Sequence, residues 1–170
     1  VPRGSRPDRS LAVQERARRV TDAPAPAPGC GEAQVARTGG CLCGGVRYRL
    51  GGPPLWVAHC HCSMCRRAQG AGFVTWAGFP ADAFSLSAGE DLLSKYPSSA
   101  AAVRSFCRRC GTPLFFQSTR WPGEIHVTLA SLDSTEGLEP QAHAYWSSRA
   151  PWLGWDGGDL GKVEPAGGPG

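Results

Sequence analysis

The chain has 170 residues, of which 41% are hydrophobic, enough for one domain with a modest core. Its net charge of +4 comes largely from arginines in the first 37 residues, which is only a weak signal for nucleic-acid binding. The sequence has neither the apolar run of roughly 18 residues that a membrane span needs nor the apolar core of a secretory signal, so we expect a soluble, cytoplasmic protein.

The first 36 residues are predicted to be a disordered, basic extension that is rich in alanine and proline. Residues 1–5 have the form of a protease-cleavage remnant, and residues 23–28 alternate alanine with proline, which favours an extended linker. The lone Cys30 in this extension is predicted to be a free thiol. We expect the compact, zinc-binding β domain to occupy residues 37–156 and a flexible tail to follow over residues 157–170.

The compact part is predicted to be mainly β. Its 23 glycines and 15 prolines, counted over the whole chain, favour short strands joined by turns. Val46, Tyr48 and Leu50 alternate with arginines, which is the period of a half-buried strand. Further strands are predicted over residues 55–62, 73–78, 84–87, 92–96, 103–106, 114–117, 125–130 and 143–146. This pattern favours an antiparallel meander or sandwich.

Seven of the eight cysteines form three clusters, Cys41/Cys43, Cys60/Cys62/Cys65 and Cys107/Cys110. Structural zinc takes four protein ligands, whereas catalytic zinc takes three and leaves one position open. Seven cysteines therefore predict one closed site and one open site. Cys107 and Cys110 flank a tight turn before Gly111, and the pair that completes their site is either Cys41/Cys43 or two members of the middle cluster.

The middle cluster differs from a simple metal knuckle. Cys60 and Cys62 project from the same face of a predicted strand, and Cys65 comes from the following turn, so three sulfurs can converge. A zinc ion held by three thiolates has a net charge of about −1 and is a poor generator of hydroxide. Such a site is better suited to binding the thiolate of a substrate.

The alternative is that Cys30, His59 or His61 closes the second site. Both metals would then be structural, and the protein would be a non-catalytic scaffold for a protein or nucleic-acid partner. By strand alternation, His59 and His61 are predicted to point away from the sulfurs. The spacing of the residues leaves this alternative open.

Three segments together carry a resemblance to a known family: Gly40-Cys-Leu-Cys-Gly-Gly-Val-Arg-Tyr48, His59-Cys-His-Cys-Ser-Met-Cys-Arg-Arg-Ala-Gln-Gly-Ala71 and Arg104-Ser-Phe-Cys-Arg-Arg-Cys-Gly-Thr-Pro-Leu114. In order and spacing they resemble the glutathione-dependent formaldehyde-activating enzyme family, which includes centromere protein V. The resemblance covers roughly residues 39–156. It implies an Mss4-like fold of antiparallel β-sheets with two zinc sites.

The resemblance also implies roles for individual residues. Cys41, Cys43, Cys107 and Cys110 would hold the structural zinc, and Cys60, Cys62 and Cys65 would hold a second, exchangeable zinc. The implied activity is the condensation of glutathione with formaldehyde to S-hydroxymethylglutathione, classed as a carbon–sulfur lyase for the reverse reaction.

No residue of the sequence matches a glutathione-recognition motif. Glutathione carries two carboxylates, and Arg66 and Arg67 beside the open site are candidates to bind them. Gln69, Trp76 and Trp146 are further candidates. The expected partners are therefore a small thiol and an aldehyde.

Overall fold

The computed structural model describes residues 36–165, which form eleven β-strands, one α-helix and five short 3-10 helices. The helix α1 spans Ser63–Gln69 and ends at Gly70, whose left-handed backbone closes its last turn. The 3-10 helices are Ala81–Ala83, Glu90–Leu92, Leu129–Ser131, Trp146–Ser148 and Pro151–Leu153. The strands are β1 Arg37–Gly40, β2 Arg47–Leu50, β3 Trp56–Cys60, β4 Val74–Pro80, β5 Phe84–Ala88, β6 Leu93–Ser99, β7 Ala102–Cys107, β8 Pro113–Ser118, β9 Glu124–Thr128, β10 Ala142–Ala144 and β11 Gly161–Val163.

The strands form two sheets. The smaller sheet has the order β1-β2-β5, and the larger one has the order β11-β10-β3-β4-β9-β8-β7-β6. All pairs are antiparallel except β10, which runs parallel to both β3 and β11. The mainly β prediction is correct, but the sheets are mixed and not purely antiparallel.

The main core lies where the two sheets face each other. Tyr48 and Leu50 of β2 are fully buried, and the Tyr48 ring meets Phe115 of the larger sheet edge-on at a centroid distance of 5.0 Å. Phe84 of β5 packs against the same phenylalanine at 4.9 Å. Because edge-to-face aromatic pairs add to the area that they bury, this contact fixes one sheet on the other.

Nine strands lie where the sequence predicts them, but three elements were missed. β1 has the sequence Arg-Thr-Gly-Gly, which lacks apolar alternation, and it is a strand because its backbone pairs with β2. α1 is only seven residues long, too short for a helical period to be evident. β11 lies in the segment that was predicted to be a flexible tail, and it pairs with β10.

The predicted basic extension, with Cys30 and the residues up to 35, lies outside the described residues, as do residues 166–170. Within the described part of the chain, every helix is too short or too polar to cross a membrane.

Candidate metal centres and the adjoining cavity

The first centre brings together Cys41, Cys43, Cys107 and Cys110, whose sulfur atoms all lie within 4.8 Å of one another. Cys107 is the last residue of β7, and Cys41 follows β1 directly. The Sγ atoms of Cys41 and Cys43 are 3.4 Å apart, and those of Cys43 and Cys107 are 3.8 Å apart. The geometry therefore pairs Cys107 and Cys110 with Cys41 and Cys43, a choice that the spacing had left open.

Backbone turns hold these sulfurs in place. The Gly111 amide donates to the Cys107 carbonyl at 2.8 Å, and Gly111 has a φ of 73°, the left-handed conformation expected at such a turn. The Val46 amide donates to Cys41 Sγ at 3.2 Å. Hydrogen bonds from Thr112, through its hydroxyl and its backbone, lower the pKa of Cys110 to about 5. These donors favour the thiolate form that binds metal.

The four-sulfur set fits a metal ion with tetrahedral thiolate coordination. A Zn–S bond of about 2.3 Å places the sulfurs of a tetrahedron roughly 3.8 Å apart, which is close to the two separations seen here. A metal ion held here would have all four of its positions taken by protein.

The second centre consists of Cys60, Cys62 and Cys65, which are all buried and whose sulfurs also lie within 4.8 Å of one another. Cys60 ends β3, Cys62 caps the N-terminus of α1, and Cys65 lies in its first turn. The Arg66 amide donates to the Cys62 carbonyl at 3.0 Å and so begins the helix. Cys65 was expected in a turn, but the helix brings its sulfur to the same point.

Only three ligand atoms form this second group among the described residues. The thiol hydrogen bonds between them are unequal: those with Cys62 and Cys65 raise the pKa of Cys60, whereas those with Cys60 and Cys65 lower the pKa of Cys62. A metal ion that binds the three sulfurs must displace the thiol protons as it does so. The arrangement suits a soft metal ion with a remaining coordination position.

The histidines beside this centre form their own buried network. His61 Nε2 lies 2.8 Å from His143 Nδ1, and His143 Nε2 lies 3.0 Å from the Gly157 carbonyl. Because a carbonyl only accepts, His143 carries its proton on Nε2, and His61 donates to His143. Burial lowers the pKa of His61 to about 4, assisted by His143, so the ring is neutral.

His59 is likewise directed away from the sulfurs, since its Nδ1 lies 2.9 Å from the Thr75 hydroxyl. Neither His59 nor His61 belongs to the three-sulfur group. Cys30, the other candidate fourth ligand, lies outside the described residues. His126 packs elsewhere, with its Nε2 3.0 Å from a Glu124 oxygen that also accepts from Trp56.

A cavity of about 430 Å³ lies near the second centre, and this volume lies within the range of about 300–1,000 Å³ for ligand pockets. None of the seven clustered cysteines lines it, but Arg104, which contacts Cys65 Sγ, is one of its wall residues. Its walls include Met64, which precedes Cys65, and Gly111, which follows Cys110. Apolar and aromatic walls come from Trp76, Tyr96 and Phe115. The cavity therefore gives a small molecule room beside the three-sulfur centre.

Of the five residues predicted to contact substrate, three line the cavity and two do not. Arg67, Gln69 and Trp76 line the cavity. The Arg66 guanidinium instead donates to the carbonyls of His61 and Ser148, at 3.1 and 3.0 Å, and is thereby held by the backbone. Trp146 is not a cavity residue.

Trp146 has a packing role. Its ring lies 4.9 Å from the His61 ring and 4.8 Å from the His143 ring, centroid to centroid. The cationic groups of Arg149 and Lys162 lie over its face at 4.8 and 5.0 Å. These contacts assign it to the histidine network.

Two residues near the second centre were missed by the sequence analysis. Arg104 of β7 lines the cavity and donates through one terminal nitrogen to Cys65 Sγ at 3.4 Å. Tyr145 packs against the three cysteines and has a φ of 55°, the sole positive φ among the described non-glycine residues. Strained backbone of this kind concentrates at functional sites. No local motif in the sequence could have marked either residue.

The fold and the two cysteine centres define a mainly β protein with two groups of cysteine sulfurs that could hold metal ions, one group of four and one group of three near a cavity. Residues 36–148 match the family model described as glutathione-dependent formaldehyde-activating enzyme, so the chain belongs to that family. The recognition made from the three cysteine motifs is confirmed.

Individual relatives agree with this assignment. A Halomonas elongata protein named "Putative glutathione-dependent formaldehyde-activating enzyme" is 28% identical over 68% of this chain and 78% of its own length. A Phaeosphaeria nodorum protein of the same name is 37% identical over 54% of this chain and 52% of its own. A Schizosaccharomyces pombe protein named an uncharacterized lyase is 33% identical over 48% of this chain and 57% of its own. The chain thus spans just over half of the length of these two fungal relatives.

A solved structure of a Rhodobacter sphaeroides protein has the same fold. It superimposes with a TM-score of 0.51 at 26% identity and covers 74% of this chain and 99% of its own.

Proposed function

We propose that this protein is a zinc-dependent carbon–sulfur lyase that condenses glutathione, or a similar small thiol, with formaldehyde or another aldehyde, or catalyses the reverse reaction. The family assignment and the lyase name of one relative support this class of enzyme. The observation that carries the proposal is the buried group of three sulfurs, with no fourth ligand among the described residues, beside a cavity of about 430 Å³.

Zinc fits both centres because every ligand atom is a cysteine sulfur. We assign Cys41, Cys43, Cys107 and Cys110 to a structural zinc and Cys60, Cys62 and Cys65 to an exchangeable one. When bound at the second centre, zinc would supply a Lewis acid with one position open to a substrate thiolate.

The chain's own residues position the substrate. Arg67 lines the cavity with an exposed guanidinium, so it is the candidate partner for a substrate carboxylate. Arg66 is a weaker candidate because its guanidinium already binds two carbonyls. Trp76 and Met64 supply apolar walls that reduce the water around the reacting sulfur.

The proposed reaction needs only the thiol and the aldehyde. The sulfur adds to the carbonyl carbon to form a C–S bond, the electron pair of the C=O π bond moves to oxygen, and the proton lost by the thiol ends on that oxygen. The product is an S-hydroxymethyl thioether, and the reverse reaction breaks the same C–S bond.

Zinc stoichiometry under reducing conditions, before and after dialysis against millimolar glutathione, tests the proposal. We expect two zinc ions per chain, with either loss of one zinc or uptake of one glutathione. The rate of adduct formation, followed by NMR and compared with the uncatalysed rate, should exceed that of Cys62→Ser. Two zinc ions that neither leave nor take up thiol, with no rate above background, would contradict the proposal and favour the non-catalytic scaffold.

A further inference from the structure

In the described part of the chain, Arg104 is a charged residue that contacts the three-sulfur centre directly. It lies on β7, and its terminal nitrogen NH2 donates to Cys65 Sγ at 3.4 Å, a contact between residues that are 39 positions apart in the chain. The cysteine motif therefore does not create this contact. The packing of α1 against the larger sheet creates it.

An aromatic ring fixes the path of the Arg104 side chain. The guanidinium carbon lies 5.0 Å from the centroid of Phe116 on the neighbouring strand β8. The Phe116 ring in turn packs against Trp76, with centroids 6.1 Å apart, and it belongs to the apolar cluster around the three cysteines. A planar guanidinium that stacks on a ring loses little further freedom when it donates to a sulfur.

One polar atom of Arg104 has no acceptor. The other terminal nitrogen, NH1, is buried and has no hydrogen-bond partner among the described residues. A buried guanidinium donor without an acceptor is costly, and such groups are usually paired when a site is complete. Arg104 also lines the cavity, where an incoming anionic ligand would supply an acceptor.

The positive charge of Arg104 offsets the negative charge that a metal-loaded three-sulfur centre would carry. A dipositive ion with three thiolates has a net charge of −1, and the thiolate of a substrate would bring it to −2. The arginine beside Cys65 reduces these values to 0 and −1. In a buried site, where unlike charges attract strongly, this difference decides whether a fourth anionic ligand is accepted.

We propose that Arg104 is a positioning residue of the three-sulfur centre, which holds the Cys65 sulfur and offsets thiolate charge so that this centre retains its metal and accepts a substrate thiolate. This inference rests on the proposed function. It adds a residue that is remote in sequence from the cysteine motif and that acts through Cys65.

Cobalt titration of the reduced, metal-free protein tests this role, with the thiolate-to-cobalt charge-transfer band as signal and a chelator in competition. The wild type should show two affinities. Arg104→Gln should weaken one of them by about 10–100-fold, as loss of a hydrogen bond to a metal ligand does, and leave the other unchanged. Arg104→Lys keeps the charge but not the planar fork, so it should recover part of the loss. Arg49→Gln, an exposed arginine of β2, is the matched control.

The same samples give a second signal when glutathione is added. The cobalt spectrum of the wild type should change as a fourth thiolate binds, and Arg104→Gln should need at least tenfold more glutathione for the same change. Two unchanged affinities and an unchanged glutathione response would overturn the role of Arg104 alone. Equal loss at both centres would also overturn it, because Arg104 would then support the fold in general. A wild type that binds only one ion would instead overturn the proposed function, and the role of Arg104 with it.

Discussion

Replacing one cysteine in each centre should have very different effects on stability. Cys110→Ser opens the four-sulfur centre, which ties Cys43 to Cys107 across 64 positions of the chain. Cys62→Ser opens the three-sulfur centre, whose ligands all lie between Cys60 and Cys65. Both substitutions replace one sulfur atom with a smaller oxygen atom and change nothing else, so the lost metal bond would be the main change in each.

The size of the difference follows from loop closure. The entropy cost of closing a loop scales as three-halves of RT times the logarithm of its length, and the two spans differ by a factor of about 13, which gives about 2 kcal/mol. A structural metal would itself contribute more, since metal binding to isolated zinc modules supplies about 10–16 kcal/mol against a domain stability of about 5–15 kcal/mol. Cys110→Ser should therefore unfold the domain or bring it close to unfolding.

Cys62→Ser should leave the main core in place, because that core contains Cys41 and Cys107 but none of the three sulfurs of the second centre. Thermal unfolding under reducing conditions with saturating zinc measures both variants. We expect the Tm of Cys110→Ser to lie at least roughly 5–10 °C below that of Cys62→Ser. Equal losses of stability would show that both metals are structural and would refute the division into a closed and an exchangeable site.

Four further substitutions, one of them a control, test individual parts of the fold. Gly111→Ala should cost about 1–2 kcal/mol because φ is 73°, whereas Gly51→Ala, where φ is not positive, should cost less; urea unfolding measures both. Tyr48→Phe should cost about 1 kcal/mol in the same assay, because it removes the 2.6 Å hydrogen bond to the Ser131 hydroxyl. Burial raises the pKa of Glu124, but the hydrogen bonds from His126 and Trp56 outweigh it and lower this pKa overall. The stabilisation that ionised Glu124 provides is therefore complete above its unfolded-state pKa of 4.5. It is lost as the pH falls through the lower pKa that Glu124 has in the folded protein. Glu124→Gln should remove this part of the acid dependence, and an unchanged slope of stability below pH 4.5 would contradict it.

The cysteine centres could be predicted because their ligands come in local motifs. A pair such as Cys107 and Cys110 sits on one turn, so its spacing alone brings two sulfurs together. The pairing with Cys41 and Cys43 depends on how β1 and β7 are placed in the fold, and the count of seven did not decide it. Local motifs thus identified the candidate ligands, whereas their pairing was implied by the family resemblance and is seen directly in the tertiary structure.

The direction of β10 and the contacts of Arg66 and Arg104 could not be predicted from the sequence, because they depend on tertiary structure. The alternation of β10 predicts a strand but not its direction, and its parallel pairing with β3 follows from the long connection before it. Arg66 was predicted to face substrate from its position beside Cys65, but in the structure its guanidinium binds two backbone carbonyls. Arg104 had no local signal, since its contact with Cys65 exists only after α1 packs against the sheet.

One strand links the two centres. β7 ends at Cys107, a ligand of the closed centre, and carries Arg104, which contacts Cys65 of the second centre. Because a paired strand moves as a unit, a metal ion that fixes Cys107 would also fix the position of Arg104 beside Cys65. Damage to the closed centre should therefore impair the second one. Loss of the second centre leaves β7 held by its pairing with β6 and β8 and by the closed centre, so the dependence runs in one direction.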